Sequence, residues 1–214
     1  MLALRRARVY DLATVPYPVT FEADYADRRN RLTALVRLIL VIPLAIVGYV
    51  YGIINAIVIV IAWFAIVVTG RYPKGLYDLV TGFLRFIVRV TAYAALLCDP
   101  YPPFSGRADG GYPVRMHFAG PLERYSRVKT FFRVILAIPI VILRYVINLL
   151  LEIGAVAAWV MIVITGRLPR GLFDMMVLAN SYTARSDAYL FLLTETYPPF
   201  QDEDTRAAGV AGPA

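Results

Sequence analysis

The sequence has one cysteine and one histidine among 214 residues. Cys98 alone cannot form an internal disulfide or a cysteine cluster, and His117 alone cannot supply a site with two histidines. A histidine-dependent catalytic triad would have to use His117, for which no serine partner is evident. The glycine motifs of P-loop and dinucleotide-binding proteins are also missing. We therefore expect a protein that is not an enzyme and has no catalytic, cofactor-binding or metal site.

Charge is nearly absent from two long stretches of the chain. Residues 38–69 and 134–165 contain no Asp, Glu, Lys or Arg except Arg144 and Glu152. Each stretch has 32 residues, whereas one bilayer crossing needs about 20. The chain is 59% hydrophobic, and soluble proteins usually reach about 45–50%. This pattern predicts an integral membrane protein.

Lysine is scarce, because 20 of the 22 basic residues are arginine, and the net charge is +7. The cations flank the apolar stretches, as expected for contacts with anionic phospholipid, and no motif for reading nucleic-acid bases accompanies them. We therefore predict lipid headgroups rather than nucleic acid as partners. The candidate headgroup ligands are Arg71, Lys74, Arg85, Arg89, Arg167 and Arg170.

The chain contains an internal repeat at an offset of 96 residues. Roughly 30 of 68 aligned positions are identical, including Pro43 with Pro139 and Trp63 with Trp159. Such repeats define the unit of a fold. We divide the chain into a basic N-terminal segment (1–14), membrane repeat 1 (15–104), a linker (105–111), membrane repeat 2 (112–200) and a disordered C-terminal tail (201–214). Each repeat opens with a short extended prelude.

Within each repeat, Thr-Gly-Arg-x-Pro follows the apolar stretch and predicts a helix end, with Gly70 and Gly166 left-handed. A straight helix over 38–69 would be about 48 Å long, against about 30 Å of hydrocarbon. Arg144 and Glu152 lie near the middle of the second stretch, where charge is costly. We therefore predict that each stretch bends into a transmembrane or re-entrant hairpin, with Arg144 and Glu152 paired at its apex and both Thr-Gly-Arg turns on one side.

A single continuous helix remains the alternative. Gly48, Gly52 and Ala56 would then form a stripe of small residues, and Arg144, Asn148 and Glu152 a polar stripe at the matching positions. Stripes of small residues allow helices to approach closely. The competing interpretation is that the glycines mark the bend.

The second helix of each repeat, near 75–97 and 171–193, has an amphipathic pattern. In the first copy, Asp78, Gly82, Arg85 and Arg89 share one side. Such a helix is predicted to lie in the membrane interface with its basic face toward headgroups, although these arginines could instead pair with Asp78 or Asp187 inside the protein. Acids matched between the repeats are expected to hold helix ends; they are Asp78, Asp99, Asp174 and Glu195.

The repeated Thr-Gly-Arg-x-Pro and Tyr-Pro-Pro-Phe motifs, with Arg37, Trp63, Arg89 and Tyr93 at their spacing, resemble a bacterial membrane family, domain of unknown function 4389. The resemblance covers about residues 17–200 and implies a multi-pass protein of the bacterial inner membrane with no assigned activity. The second copy departs from the first at Ser181, which aligns with Arg85.

Together these features predict an all-α integral membrane protein of two tandem repeats, each a helical hairpin followed by an amphipathic interfacial helix. The favoured function is a non-catalytic scaffold or accessory subunit that binds anionic lipid and a membrane protein partner or a second copy. The alternative is a small transporter or channel component with its site at the repeat interface. Few polar residues occupy the apolar stretches of both repeats, which favours the scaffold.

Overall fold

The computed structural model describes residues 17–108 and 111–199. The predicted segments 1–14 and 201–214 lie outside the described residues. Each repeat has a short strand, a long helix and a shorter helix, and the long helix of repeat 2 is interrupted at Phe132. The elements are β1 (Val19–Ala23), α1 (Arg31–Thr69), α2 (Lys74–Ala94), β2 (Val114–Phe118), α3 (Arg127–Phe131), α4 (Arg133–Thr165) and α5 (Arg170–Leu190).

The long helices are continuous, so the predicted hairpin within each apolar stretch is wrong. α1 has 39 residues and α4 has 33, which gives lengths of about 58 and 50 Å. Gly48 and Gly52 do not mark a bend, since a Cβ added at Gly48 would touch Phe86 and one at Gly52 would touch Phe83, both in α2. Their missing side chains let α2 pack along α1, as the single-helix alternative expected.

Local signals fix where the long helices begin and end. The Asn30 side chain accepts hydrogen bonds from the backbone N–H groups of Leu32 and Thr33 and so caps α1. Ser126 caps α3 by accepting from Lys129 N–H. Gly70 and Gly166 end α1 and α4 in the left-handed region, each with φ of +72°. The predicted helix ends are therefore confirmed, because glycine adopts this conformation without a steric penalty.

Each long helix packs against the shorter helix that follows it. The buried residues of α1 recur at intervals of three, four or seven positions and form a single narrow seam, which is the pattern of a helix packed along its length against a neighbouring helix. The residues of this seam are Ala34, Arg37, Leu44, Gly48, Asn55, Val58, Ala62 and Ile66. The same spacing marks the buried residues of α4.

The strands lie on the opposite side of the shorter helices from the long ones. β2 packs on α2 and β1 on α5, while α2 and α5 pack on α1 and α4 respectively. The strands pair antiparallel, and Phe21 lies opposite Met116. These two residues are equivalent in the two repeats at an offset of 95, so a pseudo-twofold axis passes through this pair.

The segments between each strand and the following helix, residues 24–30 and 119–126, contact the opposite repeat. We call them the lead-in segments. Before α1, Arg29 N–H donates to the Gly166 carbonyl over 3.0 Å, and Leu168 N–H donates to the Asp27 carbonyl over 2.9 Å. Before α3, Tyr125 N–H donates to the Gly70 carbonyl over 2.9 Å. The start of α1 therefore lies beside the end of α4, and the end of α1 beside the start of α3, so the two long helices run antiparallel.

Candidate membrane-binding surface

The outer surface of α1 and α4 is apolar and exposed. Only the seam of each helix is covered, and large side chains elsewhere on both helices are more than half exposed; examples are Leu38, Ile39, Val68, Val134, Ile142 and Ile164. Exposed apolar patches on soluble monomers rarely exceed a few hundred Å². Both helices are long and apolar enough to cross a membrane by length and composition. We call this the apolar surface.

Exposed cations lie at both ends of the apolar surface. The first basic end consists of Arg28, Arg31, Arg167 and Arg170, and the second basic end consists of Arg71, Lys74, Arg124, Arg127 and Lys129. The exchange of lead-in segments brings these residues together, because Arg31 lies against Gly166 and Arg127 against Gly70. Four predicted headgroup ligands are in these two groups, and their role in binding lipid stays a prediction.

A shallow pocket of about 330 Å³ lies at the second basic end. It is lined by Thr69, Arg71, Glu123 and Arg124. Arg71 belongs to the Thr-Gly-Arg turn of repeat 1, whereas Arg124 belongs to the segment that leads into repeat 2. Two guanidinium groups at one pocket provide the donors that suit a phosphate group.

Arg89 is buried and Arg85 is partly buried, so the structure gives no support to the prediction that they face headgroups. Arg89 is 2% exposed and donates to the backbone carbonyls of Ser105 at 3.4 Å and Arg107 at 2.9 Å. Arg85 Nε donates to the Met116 carbonyl of β2 at 3.3 Å. The linker and β2 cover this basic face, because Gly82 at its centre has no side chain and the backbone at Gly106 passes directly over it.

One buried arginine joins the helices of each repeat, Arg37 in repeat 1 and Arg133 in repeat 2. From the sequence, both are expected only to flank the apolar stretches. Arg37, 2% exposed, donates to the carbonyls of Tyr93 at 2.6 Å and Cys98 at 2.7 Å and to the Asp99 carboxylate at 3.1 Å. Its guanidinium lies 4.2 Å from the centre of the Tyr93 ring. Arg133 binds the Thr194 carbonyl and lies 3.8 Å from the centre of the Tyr189 ring. Arg37 and Arg133 occupy the same position in the two repeats, and so do Tyr93 and Tyr189. This identity is the signal in the sequence that could have revealed their shared role.

Two of the acids matched between repeats hold helix starts, as predicted. Asn30 N–H donates to Asp99 at 3.1 Å before α1, and Ser126 N–H donates to Glu195 at 2.5 Å before α3. A carboxylate is favourable there because the first N–H groups of a helix lack partners within the helix and carry partial positive charge. Each acid thereby ties the end of its repeat to the start of the same repeat.

Arg144 does not pair with Glu152, so the predicted apex pair is wrong. On a continuous helix, eight residues separate these side chains by about 12 Å. Arg144 instead forms a salt bridge with Asp187 of α5 at 3.0 Å, while Glu152 accepts from Asn148 Nδ2 at 2.9 Å. Burial raises the pKa of the Asp187 carboxyl to about 6, and the nearby Arg144 partly offsets this. Asp187, considered as a partner for Arg85 or Arg89, thus has another role.

The outer side of the two strands is charged and exposed. Arg115 of β2 forms salt bridges with Glu22 at 3.1 Å and with Asp24 at 2.8 Å, and His117 is also exposed. We call this side the strand face. Among the described residues, no three His, Cys, Asp or Glu side chains are grouped to hold a metal ion. The described part of the molecule therefore has an apolar surface on the long helices and a polar surface on the strands.

These features define a class of mostly helical protein built from two tandem units, with two helices that are candidates for membrane spans. The family model for "Domain of unknown function (DUF4389)" matches residues 31–106 and 127–201. The chain belongs to this family and contains two copies of its domain, as the repeated motifs indicated. Among curated proteins and among solved structures, no match was found.

Proposed function

We propose that this protein is a non-catalytic membrane scaffold or accessory subunit of the bacterial inner membrane. The observation that carries the proposal is the apolar surface of α1 and α4, which would be unfavourable in water. At about 25 cal/mol per Å² of apolar area, transfer of this surface into lipid would stabilise the protein substantially. The charged side chains in the middle of α4 are both bonded within the protein, since Arg144 binds Asp187 and Glu152 accepts from Asn148.

The two basic ends support anionic lipid as the preferred environment. Each exposed Lys or Arg near an anionic membrane surface contributes about 1 kcal/mol to binding at moderate ionic strength. The pocket between Arg71 and Arg124 is a candidate site for one phosphate headgroup. The headgroup ligands that we retain from the sequence are Arg71, Lys74, Arg167 and Arg170.

A protein partner is the second part of the proposal. The strand face carries charges of both signs, which is suitable for a partner with complementary charge. The transporter alternative receives less support, because the polar residue best placed for a substrate path, Arg144, is bound by Asp187. Cross-linking at the strand face, followed by purification in mild detergent and mass spectrometry, would identify a partner or a second copy.

The lipid part is tested by native mass spectrometry of the purified protein in mild detergent. Replacement of Arg71, Lys74, Arg167 and Arg170 by Gln should reduce the retained anionic lipid severalfold and leave neutral lipid unchanged. The matched control is a pair of double variants with equal change in charge. Arg71→Gln with Arg167→Gln should lose lipid, whereas Arg107→Gln with Arg115→Gln should not. Equal loss in both double variants would contradict specific binding at the basic ends.

A further inference from the structure

We propose that α1 and α4 lie parallel to the membrane surface within one leaflet of an anionic bilayer, with the strand face directed into water. This inference deepens the proposed function and rests on it. It specifies how the apolar surface meets lipid, and it replaces a multi-pass arrangement with an embedded one. The pseudo-twofold axis would then stand along the membrane normal.

The position of the strands relative to the helices carries the first argument. Residues 112–125, which include β2, run along α2. Tyr112 Oη is 3.1 Å from Cys98 Sγ beyond one end of α2, Arg85 reaches the Met116 carbonyl in the middle, and Tyr125 N–H reaches the Gly70 carbonyl before the other end. The two paired strands are therefore located over the middle of the helices rather than beyond their ends.

This position is incompatible with long helices that cross the bilayer. If α1 and α4 stood upright, the exposed carboxylates of Glu22 and Asp24 and the partly exposed Arg115 would be at the level of the bilayer centre. A charge there costs at least about 2.5 kcal/mol even on insertion scales. If the helices lie flat, the same side chains are on the water side, separated from the lipid by the layer of α2 and α5.

The charges near the middle of α4 also favour helices that lie parallel to the membrane surface. Arg144 lies on the side of α4 that faces α5, where it binds Asp187. Glu152 lies about 110° around the helix from the middle of the buried seam, at 100° of rotation per residue. An upright helix would place both charges at the level of the hydrocarbon centre, whereas a flat helix places Arg144 above the level of its own axis and Glu152 close to that level.

The basic ends provide an independent argument from charge. They lie at opposite ends of α1, whose 39 residues extend about 58 Å, and they carry similar numbers of exposed cations. An upright α1 would place one basic end on each side of the membrane, against the excess of Lys and Arg found in cytoplasmic segments. Flat helices place both ends, and both Thr-Gly-Arg turns, at the headgroups of the same leaflet.

The extent of the apolar surface also fits a flat arrangement. Exposed apolar residues continue from Leu32 to Val68 on α1, which corresponds to about 54 Å along the helix. The hydrocarbon core is about 30 Å thick, so an upright helix would leave much of this surface in water. The exposed apolar residues occupy every side of α1 and α4 except the seam. A second copy of the chain would cover only one of these sides, whereas lipid would cover all of them.

The test uses two cysteines in one molecule, Ala26→Cys at the first basic end and Lys74→Cys at the second, in a Cys98→Ser background. Proteoliposomes of anionic lipid are treated with one impermeant maleimide, permeabilised, and treated with a second maleimide of different mass. Flat helices predict molecules that carry two copies of the same label, whatever the orientation in the vesicle. Upright helices predict one label of each mass on every molecule and would overturn the inference.

A second measurement gives the depth of α1 directly. Nitroxides at Ile39, Ile46, Ile53 and Val60, which share one side of α1, are compared by their accessibility to oxygen and to a water-soluble nickel chelate. Flat helices predict one common depth. A depth that is greatest for the nitroxides in the middle of α1 would overturn the inference. Nitroxides shielded from both reagents would also overturn it, because they would indicate that a second copy covers this side. Failure of the protein to float with vesicles would reject the proposed function itself, whereas flotation with mixed labels rejects only the orientation.

Discussion

Arg144 and Asp187 form the charged contact between α4 and α5, and this contact has no counterpart in repeat 1. The equivalent positions hold Gly48 and Thr91, so the two copies differ in how their helices are joined. Asp187 is largely buried, and its carboxyl loses much of its hydration in the folded protein. The salt bridge compensates only in part, which is the usual outcome for buried ion pairs.

The raised pKa of Asp187 predicts a pH-dependent stability. Because the pKa rises from 3.8 to about 6 on folding, the folded state binds the proton more tightly. The free energy of unfolding should therefore fall as pH increases from about 4 to about 6, by up to about 3 kcal/mol. We expect Asp187→Asn to remove this decrease, measured as thermal unfolding in detergent at pH 4.5 and pH 7.

The pH comparison separates the titration from the loss of the salt bridge. The loss of the salt bridge to Arg144 is present in the variant at both pH values, so its effect cancels in the difference. The exposed Asp174→Asn is the control and should keep the wild-type pH dependence. An undiminished pH dependence in Asp187→Asn would show that another group is responsible.

α2 illustrates how an amphipathic pattern can be satisfied inside a protein. Its basic side contacts backbone carbonyls of the linker and of β2 instead of lipid headgroups. The close passage of the linker depends on two glycines, because a Cβ at Gly106 would overlap the backbone of Gly82. Predicted linker residues 105–107 are thus a packed part of the fold and fix α2 between two layers.

Gly106→Ala should destabilise the protein by about 1–3 kcal/mol, the range for overpacked sites. The backbone of Gly82 cannot move away without disturbing α2. The matched control is Gly111→Ala, where a Cβ would meet nothing within 4 Å, and this variant should unfold at the wild-type temperature or slightly above. Equal melting temperatures for the two variants, measured by differential scanning fluorimetry in detergent, would contradict the packing of the linker on α2.

At the scale of the whole molecule, the repeats are interdependent. Tyr112, at the start of repeat 2, donates to the Pro100 carbonyl of repeat 1 at 3.0 Å, and Tyr17 approaches the Thr196 carbonyl of repeat 2 at 3.5 Å. The strands also pair across the repeats. Each unit therefore lacks part of its covering layer unless the other is present.

This exchange predicts how the chain behaves when it is divided between residues 108 and 111. The two halves expressed together should associate with 1:1 stoichiometry and purify through a tag on either half. Each half expressed alone should be degraded or should form a homodimer that exchanges preludes, since its strand and lead-in segment would lack partners. A stable monomeric half, detected by size-exclusion chromatography with light scattering, would show that the repeats are independent domains.

The sequence alone determined the features that depend on neighbouring residues. The tandem repeat, the family, the helix ends at Gly70 and Gly166 and the helix-holding role of Asp99 and Glu195 could all be predicted, because motif identity, glycine conformation and helix-end electrostatics are local. The apolar length of α1 and α4 was likewise evident, but length could not distinguish a bent segment from a continuous helix.

Only the tertiary structure decided which faces meet. Arg89 looks like a surface cation because its sequence neighbours cannot reveal that the linker passes over Gly82. Arg144 binds Asp187 at a separation of 43 residues, and the lead-in segments cross between repeats over even longer separations. Contacts between distant segments depend on how two antiparallel units pack around their shared axis, and the hydrophobic period of a single helix has no information about that arrangement.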